Sequence, residues 1–141
     1  MNIVRMESFT VMGREVRTSN AREMSGNGAI GQLWNKMSPD QAKTVAIYSQ
    51  YATDKDGEYS YLLGAEISHD ETLPLQLSKR TTEEGNYVCL KSDGPITPQL
   101  VVGLWRQVWA LEEAGELARA YRTDFEIYKG NGIELYVGVK A

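Results

Sequence analysis

Phe125-Glu126-Ile127-Tyr128-Lys129-Gly130-Asn131-Gly132-Ile133-Glu134-Leu135-Tyr136-Val137-Gly138-Val139-Lys140 is the stretch on which the fold turns. Gly130-Asn131-Gly132 interrupts two alternating runs, and Asn-Gly supplies the positive φ angles that a tight hairpin needs. After the turn Ile133, Leu135, Val137 and Val139 share one face, with Glu134 and Tyr136 on the other. Before it, Phe125 and Ile127 oppose Glu126 and Tyr128. This is a β-hairpin. A second is predicted where Asp56-Gly57 separates Thr44–Ala52 from Tyr59–Ile67. Two shorter alternations, Phe9–Val16 and Tyr87–Leu90, open the two halves as strands.

A helix is predicted between strand and hairpin in each half. In the second half Thr97 is a good N-cap, Pro98 fits the first helical position and Gly115 marks a stop. Val101, Leu104, Trp105, Val108 and Leu111 recur at helical spacing, and Trp109 widens that stripe beyond what packing on one sheet needs. The first helix is expected to carry Ile30, Leu33, Trp34 and Met37. Gly31-Gln32-Leu33-Trp34 resembles Gly103-Leu104-Trp105, and the two Trp are offset by nearly the same interval as the two hairpin turns. A strand–helix–hairpin unit of roughly 70 residues, used twice, accounts for this order. The expected fold class is α+β: a duplicated β-α-β-β module forming an antiparallel curved sheet with two helices and a central cleft. One domain spans 1–141, with pseudo-repeats at about 1–75 and 76–141.

Composition narrows the classes. With 141 residues, 42% of them apolar and 24% charged, the chain suits one globular domain. Such a domain buries roughly 70% of its unfolded surface. No apolar run reaches the roughly 18 residues of a membrane span, and scattered Tyr, Trp and Phe among patterned aliphatics argue against disorder. A net charge of −4 gives no bulk attraction to nucleic acid. Cys89 is the sole cysteine, so no disulfide forms within one chain. There is no apolar signal-peptide core, and a soluble, cytoplasmic domain is expected.

Three motifs invite chemistry the spacing does not support. Gly26-Asn27-Gly28-Ala29-Ile30-Gly31 matches GxGxxG, but no buried parallel strand feeds it and a hairpin follows, so it reads as a helix-entry loop. Asp54-Lys55-Asp56-Gly57-Glu58 lacks the ligand spacing of a calcium loop and reads as a polar hairpin tip. His69 and Cys89, each the only one of its kind, cannot build a zinc site or a triad. His69 is expected in solvent and Cys89 in the core. No metal or cofactor is expected.

The aromatic inventory is more informative. Trp34, Trp105 and Trp109 fall on helices; Tyr48, Tyr51, Tyr59, Tyr61, Tyr87, Phe125, Tyr128 and Tyr136 fall on strands. A duplicated domain leaves a groove where its halves meet, and aromatic faces there would attract organic cations by roughly 0.5–2 kcal/mol each. Glu126 and Glu66 are candidate counter-charges, each flanked by apolar or aromatic neighbours. On pattern alone a second reading stays open, in which the rings fill the core and both carboxylates meet water.

Trp34, Tyr61-Leu62-Leu63-Gly64-Ala65-Glu66, Gly85-Asn86-Tyr87, Trp105-x-x-x-Trp109 and Asp124-Phe125-Glu126-Ile127-Tyr128, in this order, resemble the gyrase-inhibitor-like (GyrI-like) effector-binding family. Such domains also form the ligand-sensing half of AraC-type and MerR-type multidrug-responsive activators. The likeness runs from about Phe9 to Val139. It implies a cleft for hydrophobic, often cationic molecules, with a glutamate inside. The family's Glu-x-Tyr matches Glu126 and Tyr128, and its Gly-x-Glu matches Gly64 and Glu66. The ligand-binding set expected is Glu126, Glu66, Trp34, Tyr48, Tyr61, Tyr87, Trp105, Trp109, Phe125 and Tyr128.

No helix-turn-helix segment accompanies this sensor-like sequence. A stand-alone binder of lipophilic cationic small molecules is therefore expected, without direct contact to nucleic acid or membrane. A separate DNA-binding or other protein partner, and a homodimer, are left open. Two alternatives stand beside it. One is a hydrolase of strained electrophiles in which desolvated Glu126 directs water; no catalytic residue is assigned. The other is a protein-inhibitor module acting through its acidic surface.

Overall fold

Strands whose two faces both carry apolar residues must be covered on both sides, and that requirement shapes this molecule. The computed structural model describes residues 2–26, 28–35, 44–68 and 72–140. These hold β1 (Ile3–Met6), β2 (Thr10–Ser19), α1 (Asn20–Met24), α2 (Ile30–Asn35), β3 (Thr44–Ser49) and β4 (Glu58–Ile67), then β5 (Ser78–Thr81), β6 (Gly85–Asp93), α3 (Pro98–Glu113), β7 (Arg119–Lys129) and β8 (Gly132–Val139). The strands form one antiparallel sheet in the order β1-β6-β8-β7-β3-β4-β2-β5. No helix among the described residues is long and apolar enough to cross a membrane.

The order reads alike from either end. β2-α-β3-β4 and β6-α3-β7-β8 are equivalent, with β3 and β7 paired at the seam. The short leader strands change places: β1 pairs with β6 of the second half, and β5 pairs with β2 of the first. The duplicated module of the sequence reading is present, with this exchange added.

Sheet curvature has a local cause. Gly13 of β2 opposes Gly64 of β4, and a Cβ on Gly64 would lie 1.9 Å from the Met12 carbonyl oxygen. Only a pair without side chains lets the backbones approach this closely. The curl closes the back face on itself. Phe9, just before β2, reaches Phe125 of β7 with ring centroids 4.9 Å apart, and Tyr136 stacks on Phe125 at 4.8 Å. Val11, Val45, Ile47 and Leu62 are fully buried beneath.

The helices cover the front face, where Leu33 of α2 and Leu104, Trp105 and Val108 of α3 are buried. Thr97 caps α3, its hydroxyl accepting from the Leu100 amide at 3.1 Å, with Pro98 in the first turn and Gly115 at φ +77° beyond the end.

Three expectations need correction. The first half carries two short helices instead of one; Met37 and His69 lie outside the described residues. β7 begins at Arg119, ahead of the predicted start, because a bulge with Tyr121 at φ +55° interrupts its alternation. Cys89 is half-buried and not in the core, since it faces the back side opposite Tyr136 near the sheet edge.

Candidate functional site

Strand parity determines which side chains meet the helices. Tyr48 on β3, Tyr59 and Tyr61 on β4, and Glu126 and Tyr128 on β7 all point to the front, while Val45, Ile47, Leu62, Phe125 and Ile127 point to the back. Trp34 of α2 and Val101, Trp105 and Trp109 of α3 come down over the same face. Together they enclose a cavity of about 600 Å³ above the β3–β7 seam. That volume suits a drug-sized molecule. Met24 and Ile96, 52% and 38% exposed, form an apolar rim.

The lining is a connected aromatic surface. The Tyr48 ring lies 4.9 Å from Trp105, 5.0 Å from Tyr61 and 5.4 Å from Tyr59. Trp34 meets Tyr128 edge-on at 4.6 Å and donates its indole N–H to the Tyr61 hydroxyl at 3.1 Å.

Glu126 lies behind this lining with no exposed surface. Its Oε2 accepts from the Tyr48 hydroxyl at 2.9 Å and from the Trp105 indole N–H at 2.7 Å, while Oε1 accepts from the Tyr128 hydroxyl. All three donors are neutral, and no ion pair to Glu126 exists among the described residues. Burial pushes its carboxyl above the usual carboxylate range, and the bonds from Tyr128, Trp105 and Tyr48 pull the other way. Burial, and next the Glu126 charge, hold the hydroxyls of Tyr48, Tyr61 and Tyr128 well above the ordinary phenol value. They therefore remain protonated donors at neutral pH. The result is a buried carboxyl held by neutral dipoles, with no cation beside it among the described residues to balance its charge when it ionises.

A second charged cluster borders the cavity and is balanced. Arg119 pairs with Asp124 at 2.7 Å, both buried. Asp124 also accepts from the Tyr51 hydroxyl and from the Gly138 amide at 2.8 Å. The β7 bulge lets Arg119 reach back along its own strand, and its guanidinium lies 4.3 Å from the centre of the Tyr121 ring. Burial opposes its charge, but Asp124 beside it prevails and keeps it cationic.

Of the expected site residues, Trp34, Tyr48, Tyr61, Trp105, Trp109 and Tyr128 line the cavity, and Glu126 bonds three side chains that do. Three are elsewhere. Glu66 is exposed near the end of β4, five positions after Tyr61 and so on the opposite face. Phe125 shares the back face with Ile127. Tyr87 is also on the back, its hydroxyl bonded to Thr123 and the Glu83 carbonyl. Unanticipated members are Glu23, Lys55 and Arg119. Tyr59 was legible by its parity with Tyr61; the isolated Arg119 among Ala118, Ala120 and Tyr121 was the only hint of the buried pair.

Comparison with known proteins places the fold and the family. The integron cassette protein VCH_CASS2 of Vibrio cholerae is 33% identical, with a TM-score of 0.85 over 99% of this chain and 95% of that one. SAV2435, solved bound to tetraphenylphosphonium, shares the fold at a TM-score of 0.64 and 15% identity, covering 99% and 93% of the two chains. The Bacillus subtilis (strain 168) "Putative transcriptional regulator protein YobU" is 25% identical over 99% of this chain and 97% of its own. The model of the Cass2 family matches residues 2–139. The chain belongs to the Cass2 family of integron-associated effector-binding proteins, built on the GyrI-like fold.

Proposed function

We propose that this protein binds lipophilic organic cations in the aromatic cavity, with Glu126 as counter-charge, and that it acts as a non-catalytic effector-binding module. The observation that carries this reading is the buried Glu126 carboxylate, held by Tyr48, Trp105 and Tyr128 without a basic partner. A ligand cation against these rings gains dispersion and cation–π attraction, and it neutralises a charge that burial otherwise penalises. Broad aromatic faces tolerate many ligand shapes, which favours multidrug recognition. A relative's complex with tetraphenylphosphonium supports the ligand class. The regulator-like relative supports a role in transcriptional control, which we place in the cytoplasm.

We read the chain as one effector-binding domain of two pseudo-repeats dividing near residue 75. The hydrolase alternative would require a water to reach Glu126, which has no exposed surface.

All three Trp residues of the chain line the cavity, so intrinsic fluorescence reports occupancy. Titration with tetraphenylphosphonium should change Trp emission saturably, with one-site stoichiometry. Emission that stays flat up to millimolar ligand would reject the reading.

A further inference from the structure

Glu126 is not the only carboxylate along the cavity without a cation. Whereas Glu126 lies behind the lining, Glu23 of α1 is part of it. Its carboxylate accepts from the Thr18 hydroxyl, from the Ala29 amide at 2.9 Å and from the Ile30 amide at 3.2 Å. Gly28 makes this possible, because a Cβ there would lie 2.2 Å from Glu23 Oε1. The Ala29 and Ile30 amides of the segment that mimics a dinucleotide fingerprint are thus already taken by an acidic side chain of the same molecule. Like Glu126, Glu23 is held by neutral dipoles, which stabilise its charge without cancelling it.

The basic groups on the lining are already engaged. Arg119 is paired with Asp124 at 2.7 Å, and Lys55 with Asp56 at 3.1 Å. Among the described residues no ion pair forms to Glu23 or Glu126. An aromatic path runs from Glu126 to the helix that carries Glu23. Tyr48 donates to Glu126, its ring lies 5.4 Å from Tyr59, and Tyr59 donates to Asn20 of α1, the helix that carries Glu23. After burial, the fields of Glu23 and then Glu126 raise the Tyr59 hydroxyl, so that hydroxyl feels both carboxylates.

We propose that the cavity selects elongated dications, with one cationic centre at Glu126, the other at Glu23, and an apolar spacer lying across Tyr48 and Tyr59. This rests on the cation-binding reading above and narrows it to a ligand class. Two charges fixed at the ends of an aromatic path favour a ligand of matching length, because the second contact is made intramolecularly.

Calorimetric titration with bis(trimethylammonium)alkanes of graded spacer length, beside alkyltrimethylammonium ions of the same chain lengths, tests it. The best dication should bind about tenfold or more tightly than its matched monocation, with affinity falling for shorter and longer spacers. Glu23→Gln should remove most of that advantage, cutting dication affinity about tenfold more than monocation affinity. Dications that never exceed their monocations at any spacer length would overturn the proposal while leaving cation binding intact. So would an equal loss for both ligands in Glu23→Gln. If neither series bound, the cation reading would fall with it. The spacer series uses the unmodified protein and does not depend on how the variant folds.

Discussion

At the scale of single residues, the role proposed for Glu126 ties cation binding to its protonation. Burial raises its folded-state pKa above the unfolded value, so the folded protein holds that proton more tightly. Acidification through this window therefore adds stability, and the gain is lost as pH rises through the folded value. Urea unfolding of wild type and Glu126→Gln from about pH 7 to about pH 4 should show wild type gaining on the variant as pH falls. A gap independent of pH would contradict this. Cation affinity moves the opposite way, because protonation removes the counter-charge, and binding near the raised pKa should release a proton visible as buffer-dependent enthalpy. Arg119 makes a different case. Arg119→Met strands the fully buried Asp124 and should cost about 3–5 kcal/mol in urea unfolding, whereas replacing both partners with apolar residues should recover most of it. Glu126 was legible because alternation set it beside Tyr128 and against Phe125. The same alternation puts Glu66 on the opposite face, and its sequence match to the family pattern depends on Gly64 two positions earlier. That glycine allows the close approach of β4 to β2 opposite Gly13.

At the scale of elements, α3 was legible because its ends follow from local chemistry: a capping hydroxyl, a proline in the first turn and a left-handed glycine past the last. Thr97→Ala should lower stability by about 1 kcal/mol, read as a lower urea midpoint with an unchanged slope. β1 and β5 were not legible. They are four-residue edge strands, and polar Ser78-Lys79-Arg80-Thr81 is a strand only because β2 supplies its hydrogen bonds. The bulge in β7 was equally hidden, since the residue that takes the left-handed conformation there is Tyr121 and not a glycine. The β2–β4 contact yields a sharper expectation. Gly64→Ala would force a methyl group into the Met12 carbonyl, at a cost of roughly 3 kcal/mol or more. A variant with wild-type unfolding would show that the strands can separate there freely.

At the scale of the molecule, duplication explains why the cavity lies where it does. β3 and β7 meet at the seam, and each half contributes one helical wall and part of the aromatic floor. The order of elements made the duplication legible, but the exchange of β1 and β5 between halves depends on long-range pairing that no local pattern encodes. The central claim is that one uncancelled buried charge gives this aromatic cavity its preference for cations. Calorimetry on wild type and Glu126→Gln, with tetraphenylphosphonium and with neutral triphenylphosphine oxide, tests it most directly. The cation should lose about ten- to a hundred-fold in affinity, equivalent to roughly 1–3 kcal/mol, while the neutral ligand changes little. Equal losses for the two ligands, or none for either, would contradict the account.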